Sequence, residues 1–152
     1  MIVVSDATAL IILADLDRLH YLSNIFEKVW VPAAVYEELT HKEAVVLPQA
    51  FVLKEAQPDS DLQILSKMLD LGESEAIVLA RKHSVPLIID EKKGRKIALN
   101  MGVAILGLLG IVRLNIKKDF ISKAEAEDFL KQARKNGYRI SQKLIQQMWQ
   151  SL

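Results

Sequence analysis

The sequence predicts a three-layer α/β fold, in which helices cover both faces of a short, mainly parallel sheet. Two observations support this prediction. Short apolar runs alternate along the chain with helical patterns, as expected when a crossover helix follows each strand. The runs Ile2-Val3-Val4 and Leu87-Ile88-Ile89 are apolar without alternation, which is typical of strands that are covered on both faces.

The predicted elements follow from these runs and from local signals. The five strands are Ile2 to Ser5, Lys28 to Val31, Phe51 to Glu55, Leu87 to Asp90 and Val103 to Leu106. Pro32 suits the first turn of a helix that continues to about Thr40, because the amide that proline lacks would have no partner there. Gly72 precedes a second helix, from Glu73 to about His83.

The last part of the chain is charged and helical. Ser122 with Glu125 three residues later predicts a helix start, and Asn136-Gly137 predicts its end. A final helix from Ser141 carries an apolar face of Leu144, Ile145, Met148 and Trp149. We therefore predict one domain, with a core of about 1–118 and a C-terminal helical appendage of about 119–152. The apolar face either packs on its own domain or buries a partner surface, and the second case predicts a homodimer or higher homo-oligomer.

The amino-acid composition limits the classes of function that the protein can have. A chain of 152 residues with 51% hydrophobic content is suited to a single packed domain. The 20 basic and 19 acidic residues leave a charge of +1, so the protein has no general attraction to polyanions. The absence of cysteine excludes disulfides, thiolate metal sites and cysteine nucleophiles, and it predicts a cytoplasmic location. The apolar stretch from Met101 to Ile111 is too short to cross a membrane.

Four carboxylates distant in sequence predict one shared site: Asp6, Glu38, Glu73 and Asp90. Asp6 and Asp90 end predicted strands, and the carboxyl edge of a parallel sheet is where ligands bind. Several ionised carboxylates in one cleft repel each other unless protons or a cation offset the charge. Oxygen-only ligation favours Mg²⁺ or Mn²⁺ over zinc, and the three histidines show no paired spacing. Such a cation activates water against a phosphodiester, which is nuclease chemistry.

Each of these residues also has a purely structural interpretation. Asp6 and Asp90 could cap the helices that follow them, and Glu73 could complement a helix dipole. Glu38, next to Glu37, could lie on an ordinary amphipathic helix. Thr8 could either hold the Asp6 carboxylate or be a plain helix-start hydroxyl. The combination of the four acids is what favours a functional site.

A basic run follows Asp90 directly. This run predicts contacts with RNA phosphates, made by Lys92, Arg95 and Lys96. Contacts of this kind supply most of the affinity of proteins for nucleic acid. The alternative is the solvated start of a helix.

The order of these motifs resembles the PIN domain, and especially the small prokaryotic PIN-like branch known as DUF3368, which is related to VapC-type ribonuclease toxins. The resemblance runs from Met1 to about Leu114. It rests on Asp6-Ala7-Thr8-Ala9-Leu10, Val31-Pro32, Glu38-Leu39, Gly72-Glu73-Ser74-Glu75-Ala76, Leu87-Ile88-Ile89-Asp90 and Gly94-Arg95.

The resemblance implies roles for individual residues. The first acid of the family falls on Asp6, the second on Glu38 and the fourth on Asp90, with Thr8 as the nearby hydroxyl. The third falls on Glu73, because the 17-residue step to Asp90 fits the family spacing, and Glu75 is the fallback. Where relatives often carry a further aspartate after the fourth acid, this chain has Lys92 and Lys93, which leaves open whether one metal or two are bound.

The implied function is a Mg²⁺- or Mn²⁺-dependent endoribonuclease, the toxin of a type II toxin–antitoxin pair. Asp6, Glu73 and Asp90 would bind the metal and Glu38 would complete the site. The implied partners are RNA and a small antitoxin protein. The alternative is a catalytically inactive PIN-like module that binds RNA or protein. A phosphoacceptor signalling domain is a further possibility, but the acidic dyad and strand-end lysine that it needs have no place in this sequence.

Overall fold

The computed structural model describes all 152 residues and confirms the predicted fold class. All five strands are parallel, and they are β1 (Ile2–Ser5), β2 (Lys28–Pro32), β3 (Phe51–Lys54), β4 (Leu87–Ile88) and β5 (Ile105–Leu106). Their order across the sheet is β3-β2-β1-β4-β5. The strand order therefore reverses between the central β1 and its neighbour β4. In open α/β sheets such a switch point leaves a crevice at the carboxyl ends of the strands.

Nine α-helices and one π-helical turn connect and cover the strands. The helices are α1 (Ala7–Asp15), α2 (His20–Ser23), α3 (Ala33–Glu37), α4 (Ser60–Leu65), α5 (Leu71–His83), α6 (Lys92–Asn100), α7 (Leu108–Lys117), α8 (Lys123–Lys135) and α9 (Gln142–Gln150), and the π-helical turn spans Glu38–Lys42. No helix is both long and apolar enough to cross a membrane.

Two hydrophobic clusters lie on opposite faces of the sheet. Val3 joins the larger cluster, which includes residues of α1, α2 and α7. Its neighbour Val4 joins the smaller cluster, which includes residues of α4, α5 and α6. Successive residues of β1 are therefore both fully buried. This explains why the strand is apolar without alternation.

The helix signals of the C-terminal part are confirmed. The Ser122 hydroxyl accepts the Glu125 amide at 3.0 Å, and the Ser141 hydroxyl accepts the Leu144 amide at 3.1 Å. Gly137 has a φ of +93°, a conformation that glycine adopts without strain. Both predicted helix starts and the predicted stop are thus set by local chemistry.

The apolar face of α9 packs on the chain itself. Ile145 and Met148 are buried in the larger cluster, together with Phe129 of α8. Of the two alternatives, packing on its own domain holds for these two side chains, while Leu144 stays half exposed. The oligomeric state remains a prediction without this support.

Several element ends near the carboxyl edge of the sheet differ from the predicted bounds: β2 ends at Pro32 and β3 at Lys54, each one residue from the predicted end, and two larger differences matter for the site. Strand β4 ends at Ile88, because the chain turns away after Ile89 and the Asp90 side chain accepts the Leu108 amide instead. The helix after Pro32 ends at Glu37 and continues as the π-helical turn, in which the Glu43 amide donates to the Glu38 carbonyl at 3.1 Å. Such π-helical turns are frequent at functional sites.

Candidate active site

A cavity of about 380 Å³ opens at the carboxyl edge of β1. Its walls come from the start of α1, from α3 with the π-helical turn, and from the start of α5. Five carboxylates line it, those of Asp6, Glu37, Glu38, Asp70 and Glu73, together with a single cationic side chain, Lys42. We call this cavity the acidic cleft. Three of the four predicted acids, Asp6, Glu38 and Glu73, line it as expected.

Asp6 is the most buried carboxylate of the acidic cleft. Its side chain is only 2% exposed, and its Oδ1 atom has no hydrogen-bond partner. It occupies the N-cap position of α1 without a well-formed capping hydrogen bond, although the nearby Ala9 and Asp90 amides lower its pKa in part. Burial raises the pKa of Asp6 to about 8, and the negative charge of Asp90 adds to the shift.

Glu73 faces Asp6 from the first turn of α5. Its Oε2 atom is buried and also lacks a hydrogen-bond partner. Burial raises the pKa of Glu73 to about 8, and the charges of Asp70, Glu91 and Asp6 contribute. A β-carbon at Gly94 would lie 2.8 Å from this oxygen, so α6 packs directly against the carboxylate.

Glu75 has a different position and a structural role. It is 9% exposed, does not line the acidic cleft, and its Oε1 accepts the Ala34 amide at 2.8 Å. This bond satisfies one of the free amides at the start of α3. Every residue from Ser74 to Ala80 is buried, so Glu75 lies inside the packed part of α5.

These positions predict opposite outcomes for two matched substitutions. We expect Glu73→Gln to impair RNA cleavage strongly and to leave stability unchanged or raised, because it removes a charge from the acidic cleft. Glu75→Gln keeps an acceptor oxygen for Ala34, so its effect should be mild. Glu75→Ala should cost about 1 to 3 kcal/mol of stability, because it leaves the Ala34 amide without a partner. Thermal unfolding and RNA cleavage of the three variants test this, and equal loss of cleavage in both Gln variants would contradict it.

Asp90 is held by the chain from two sides. Its Oδ2 accepts the Leu108 amide at 3.1 Å, and its Oδ1 accepts the Tyr138 hydroxyl at 2.9 Å. Burial raises the pKa of Asp90, while the bonds from Tyr138 and Leu108 and the charge of Arg95 oppose the shift. A β-carbon at Gly107 would lie 2.7 Å from Oδ1, so only glycine fits there without displacing the carboxylate.

Tyr138 is one residue of this region that the sequence interpretation missed. It lies between α8 and α9, is 8% exposed, and contacts Asp90 across 48 positions of sequence. Burial and the adjacent Asp90 raise the pKa of Tyr138 far above its usual value, so the hydroxyl stays a donor. Tyr138 and Asp90 line a second cavity of about 310 Å³, which shares Thr8 with the acidic cleft.

A substitution at Tyr138 should therefore affect both stability and the site. We expect Tyr138→Phe to cost about 1 to 2 kcal/mol, because Asp90 loses one of its donors. Tyr21→Phe is a matched control, since the Tyr21 hydroxyl donates to Glu125 at 2.6 Å and lines neither cavity. Only Tyr138→Phe should change RNA cleavage at equal fractions folded. If the two variants cut RNA equally well, Tyr138 has only a structural role.

The remaining predicted residues lie around the acidic cleft. Thr8 is exposed, and its hydroxyl makes no hydrogen bond to Asp6. Lys92 and Lys96 are exposed on α6, whereas Arg95 is half-buried and donates to the Ile89 carbonyl at 2.7 Å. None of these three cations lines the acidic cleft or the second cavity.

Asp70 and Glu91 add negative charge that the sequence interpretation did not include. Each caps a helix: Asp70 accepts the Glu73 amide at 2.8 Å, and Glu91 accepts the Gly94 amide at 2.6 Å. Both carboxylates also raise the pKa of Glu73. Both residues precede a helix directly, and acidic residues are common at that capping position, so the sequence carries a local signal for each.

The acidic cleft offers oxygen donors of the kind that a hard divalent cation prefers. Asp6 and Glu73 each present a buried carboxylate oxygen without a partner, and native proteins seldom leave such atoms unpaired. All the acidic ligands are oxygens, which suits Mg²⁺ or Mn²⁺. Asp90 differs, because both of its oxygens already accept hydrogen bonds. No three acidic or histidine side chains stand close enough together to hold a metal as they are placed.

Comparison with known proteins agrees with this architecture. A family model described as DUF3368: PIN domain matches residues 2–152. No curated protein matches the chain. Among solved structures, a PilT N-terminus domain protein from the hyperthermophilic archaeon Sulfolobus solfataricus P2 is similar at 17% identity, with a TM-score of 0.52 over 73% of this chain and 90% of that one. That likeness supports the fold, and the family model covers nearly the whole sequence. The chain therefore belongs to the PIN domain family.

Proposed function

We propose that this protein is a metal-dependent ribonuclease whose active site is the acidic cleft. The observation that carries the proposal is the pair of buried, unpartnered carboxylate oxygens on Asp6 and Glu73. A folded protein tolerates such a pair when protons or a cation neutralise it. The PIN domain is a nuclease-type fold, which supports the same conclusion.

The residues divide into a cation-binding set and a supporting set. Asp6 and Glu73 would hold Mg²⁺ or Mn²⁺, with Asp90 joining from the second cavity. When bound, the cation supplies charge stabilisation for the phosphodiester and lowers the pKa of the attacking water. Glu38 lines the opposite wall, where its carboxylate can orient that water and accept its proton.

Lys42 supplies the positive charge that an RNA phosphate needs in an acidic cavity. It is the only cation that lines the acidic cleft, and the π-helical turn places it on the same wall as Glu38. We propose that its ammonium group contacts the phosphate next to the scissile bond. Asp6 and Glu73 lie deeper and would contact the cation instead.

Cleavage of a labelled single-stranded RNA tests the proposal directly. The protein is first freed of metal with a chelator and then assayed with and without Mn²⁺, beside a DNA strand of the same sequence. We expect RNA fragments only when Mn²⁺ is present. Cleavage that is equal in chelator, or absent at saturating Mn²⁺, would overturn the proposal.

One observation favours a second candidate, the inactive module that binds RNA or protein. Both Asp90 oxygens accept hydrogen bonds from Leu108 and Tyr138, and the fourth acid does not line the acidic cleft. If this arrangement persists when Mn²⁺ is added, the protein should bind RNA without cutting it. Binding and cleavage measured on the same RNA separate the two candidates.

A toxin role, a small antitoxin protein and a cytoplasmic location complete the proposal. The acidic cleft is open at the surface, so a small protein could cover it and block access to RNA. Co-expression with any short reading frame that adjoins this gene tests the idea. A true antitoxin should co-purify and suppress Mn²⁺-dependent cleavage, whereas an adjoining protein that does neither removes this part of the proposal.

A further inference from the structure

A series of cavities that share lining residues extends from the acidic cleft across the C-terminal segment. The second cavity, beside Asp90, shares Thr8 with the acidic cleft and shares Tyr138 and Arg139 with a third cavity of about 430 Å³. The third cavity in turn shares Arg134 with a fourth, of about 540 Å³, on the outer face of α8. We call the second, third and fourth cavities together the C-terminal groove.

The balance of charge changes along this path. The acidic cleft has five carboxylates and one lysine. The C-terminal groove has three acids, Asp90, Glu91 and Asp128, the ion-paired Lys131, and three further cations, Arg134, Lys135 and Arg139. None of these three cations pairs with a carboxylate. The Arg139 side chain makes no hydrogen bond, and Arg134 donates only to the Gln142 side chain, at 2.7 Å. Arg134 and Arg139 are the only charged residues of the third cavity, so this part of the groove presents free positive charge, and Arg139 also reaches the second cavity beside Asp90.

We propose that the C-terminal groove binds the backbone of single-stranded RNA and leads the strand past Asp90 into the acidic cleft. The proposal rests on the proposed function, because it assumes that the RNA strand is cleaved in the acidic cleft. Unpaired arginines that follow an open groove suit a chain of phosphates. A docked protein helix would need apolar contacts, yet no hydrophobic residue lines the fourth cavity and only Tyr138 and Ile140 line the third.

The groove is a better path for RNA than the basic run after Asp90. Lys92 and Lys96 are exposed on α6, but they line neither the acidic cleft nor the C-terminal groove. Arg95 turns inward and bonds the Ile89 carbonyl. The sequence interpretation chose these three cations because they follow Asp90 directly, whereas Arg139 reaches the same carboxylate region through the fold.

Salt-dependent RNA binding tests the proposal without any cleavage. A labelled single-stranded RNA is titrated with metal-free protein in chelator at several KCl concentrations. Arg134→Ala/Arg139→Ala should weaken binding roughly tenfold near 0.1 M salt and reduce the log–log salt slope by about 1.4, since each phosphate contact to a single strand contributes about 0.7. Lys117→Ala/Lys118→Ala is the matched control, because it removes the same charge from exposed positions outside the groove.

Two further variants keep the test decisive. Arg139→Ala alone breaks no hydrogen bond, so it should fold normally and show about half of the slope change. Lys92→Ala/Lys96→Ala should behave like the control. If the groove variant binds RNA as tightly as the control, the proposal is overturned. A protein partner is then the remaining candidate ligand for Arg134 and Arg139. A slope loss confined to Lys92→Ala/Lys96→Ala would overturn the proposal as well.

The failure of this proposal is distinguishable from failure of the proposed function. Loss of RNA binding in the groove variant, in a protein that never cuts RNA with Mn²⁺, supports the groove and removes the ribonuclease. Normal RNA binding by the groove variant, in a protein that cuts RNA with Mn²⁺, supports the ribonuclease and removes the groove.

Discussion

Asp6→Asn is expected to abolish RNA cleavage and to raise the melting temperature of the metal-free protein. Asn keeps the shape of the side chain but lacks the charge that a divalent cation requires, so cleavage should fall by roughly a hundredfold to a thousandfold or more. The stability gain follows from the pKa of Asp6, which burial raises to about 8. Removing this buried charge at pH 8 should raise the melting temperature by roughly 5 to 10 °C.

Asp90→Asn should abolish cleavage without a comparable gain in stability. In the structure Asp90 accepts hydrogen bonds from Tyr138 and Leu108, and an Asn amide group cannot replace both acceptor oxygens. We therefore expect the melting temperature of metal-free Asp90→Asn to rise less than that of Asp6→Asn, or to fall.

Calorimetry in chelator and RNA cleavage in Mn²⁺ measure both effects for the two variants. Asp15→Asn is the matched control, because Asp15 is exposed at the other end of α1. If Asp6→Asn and Asp90→Asn both cut RNA at the wild-type rate in saturating Mn²⁺, the nuclease proposal fails.

The stability of the metal-free protein should fall as the pH rises from about 4 to 8. Asp6 and Glu73 have folded-state pKa values of about 8, raised above their ordinary values near 4. The folded protein therefore holds protons that the unfolded chain releases over this range, and stability is lost as the pH rises. Below about pH 4 both carboxyl groups are protonated in the folded and in the unfolded protein, so stability no longer depends on pH through them.

Mn²⁺ or Mg²⁺ should reverse this loss at pH 8, because a cation that binds only the folded state stabilises it by mass action. Zinc should have no special advantage in an oxygen-only site. Melting temperatures at pH 5 and pH 8, with chelator and with millimolar Mn²⁺, provide the measurement. A melting temperature that does not change with pH, or that does not change with Mn²⁺ at pH 8, would argue against a cation-binding pair of Asp6 and Glu73.

Much of the fold could be predicted because local signals agree with the tertiary structure. The apolar runs of β1 and β4 lack alternation since the two faces of the sheet are both covered. The serine caps of α8 and α9 form as the sequence indicates. Asp6 and Asp90 end neighbouring parallel strands, so their shared location at one edge follows from topology alone.

The details of the site depend on contacts that no local pattern contains. Tyr138 reaches Asp90 only because α8 and the end of the chain pack on the larger cluster. Glu73 and Glu75 could not be assigned securely by helix periodicity, because α5 is buried on more than one side. The π-helical turn after Glu37 also follows no signal that helix propensity provides.

Titration of the metal-free protein with Mn²⁺ at pH 8, followed by the electron paramagnetic resonance signal of free Mn²⁺, tests the central claim most directly. The claim is that the unpartnered oxygens of Asp6 and Glu73 hold a divalent cation. We predict saturable binding by the wild type and by the control Glu75→Gln, and loss of that binding in Asp6→Asn and Glu73→Gln. Wild-type titration curves for Asp6→Asn and Glu73→Gln would contradict the claim.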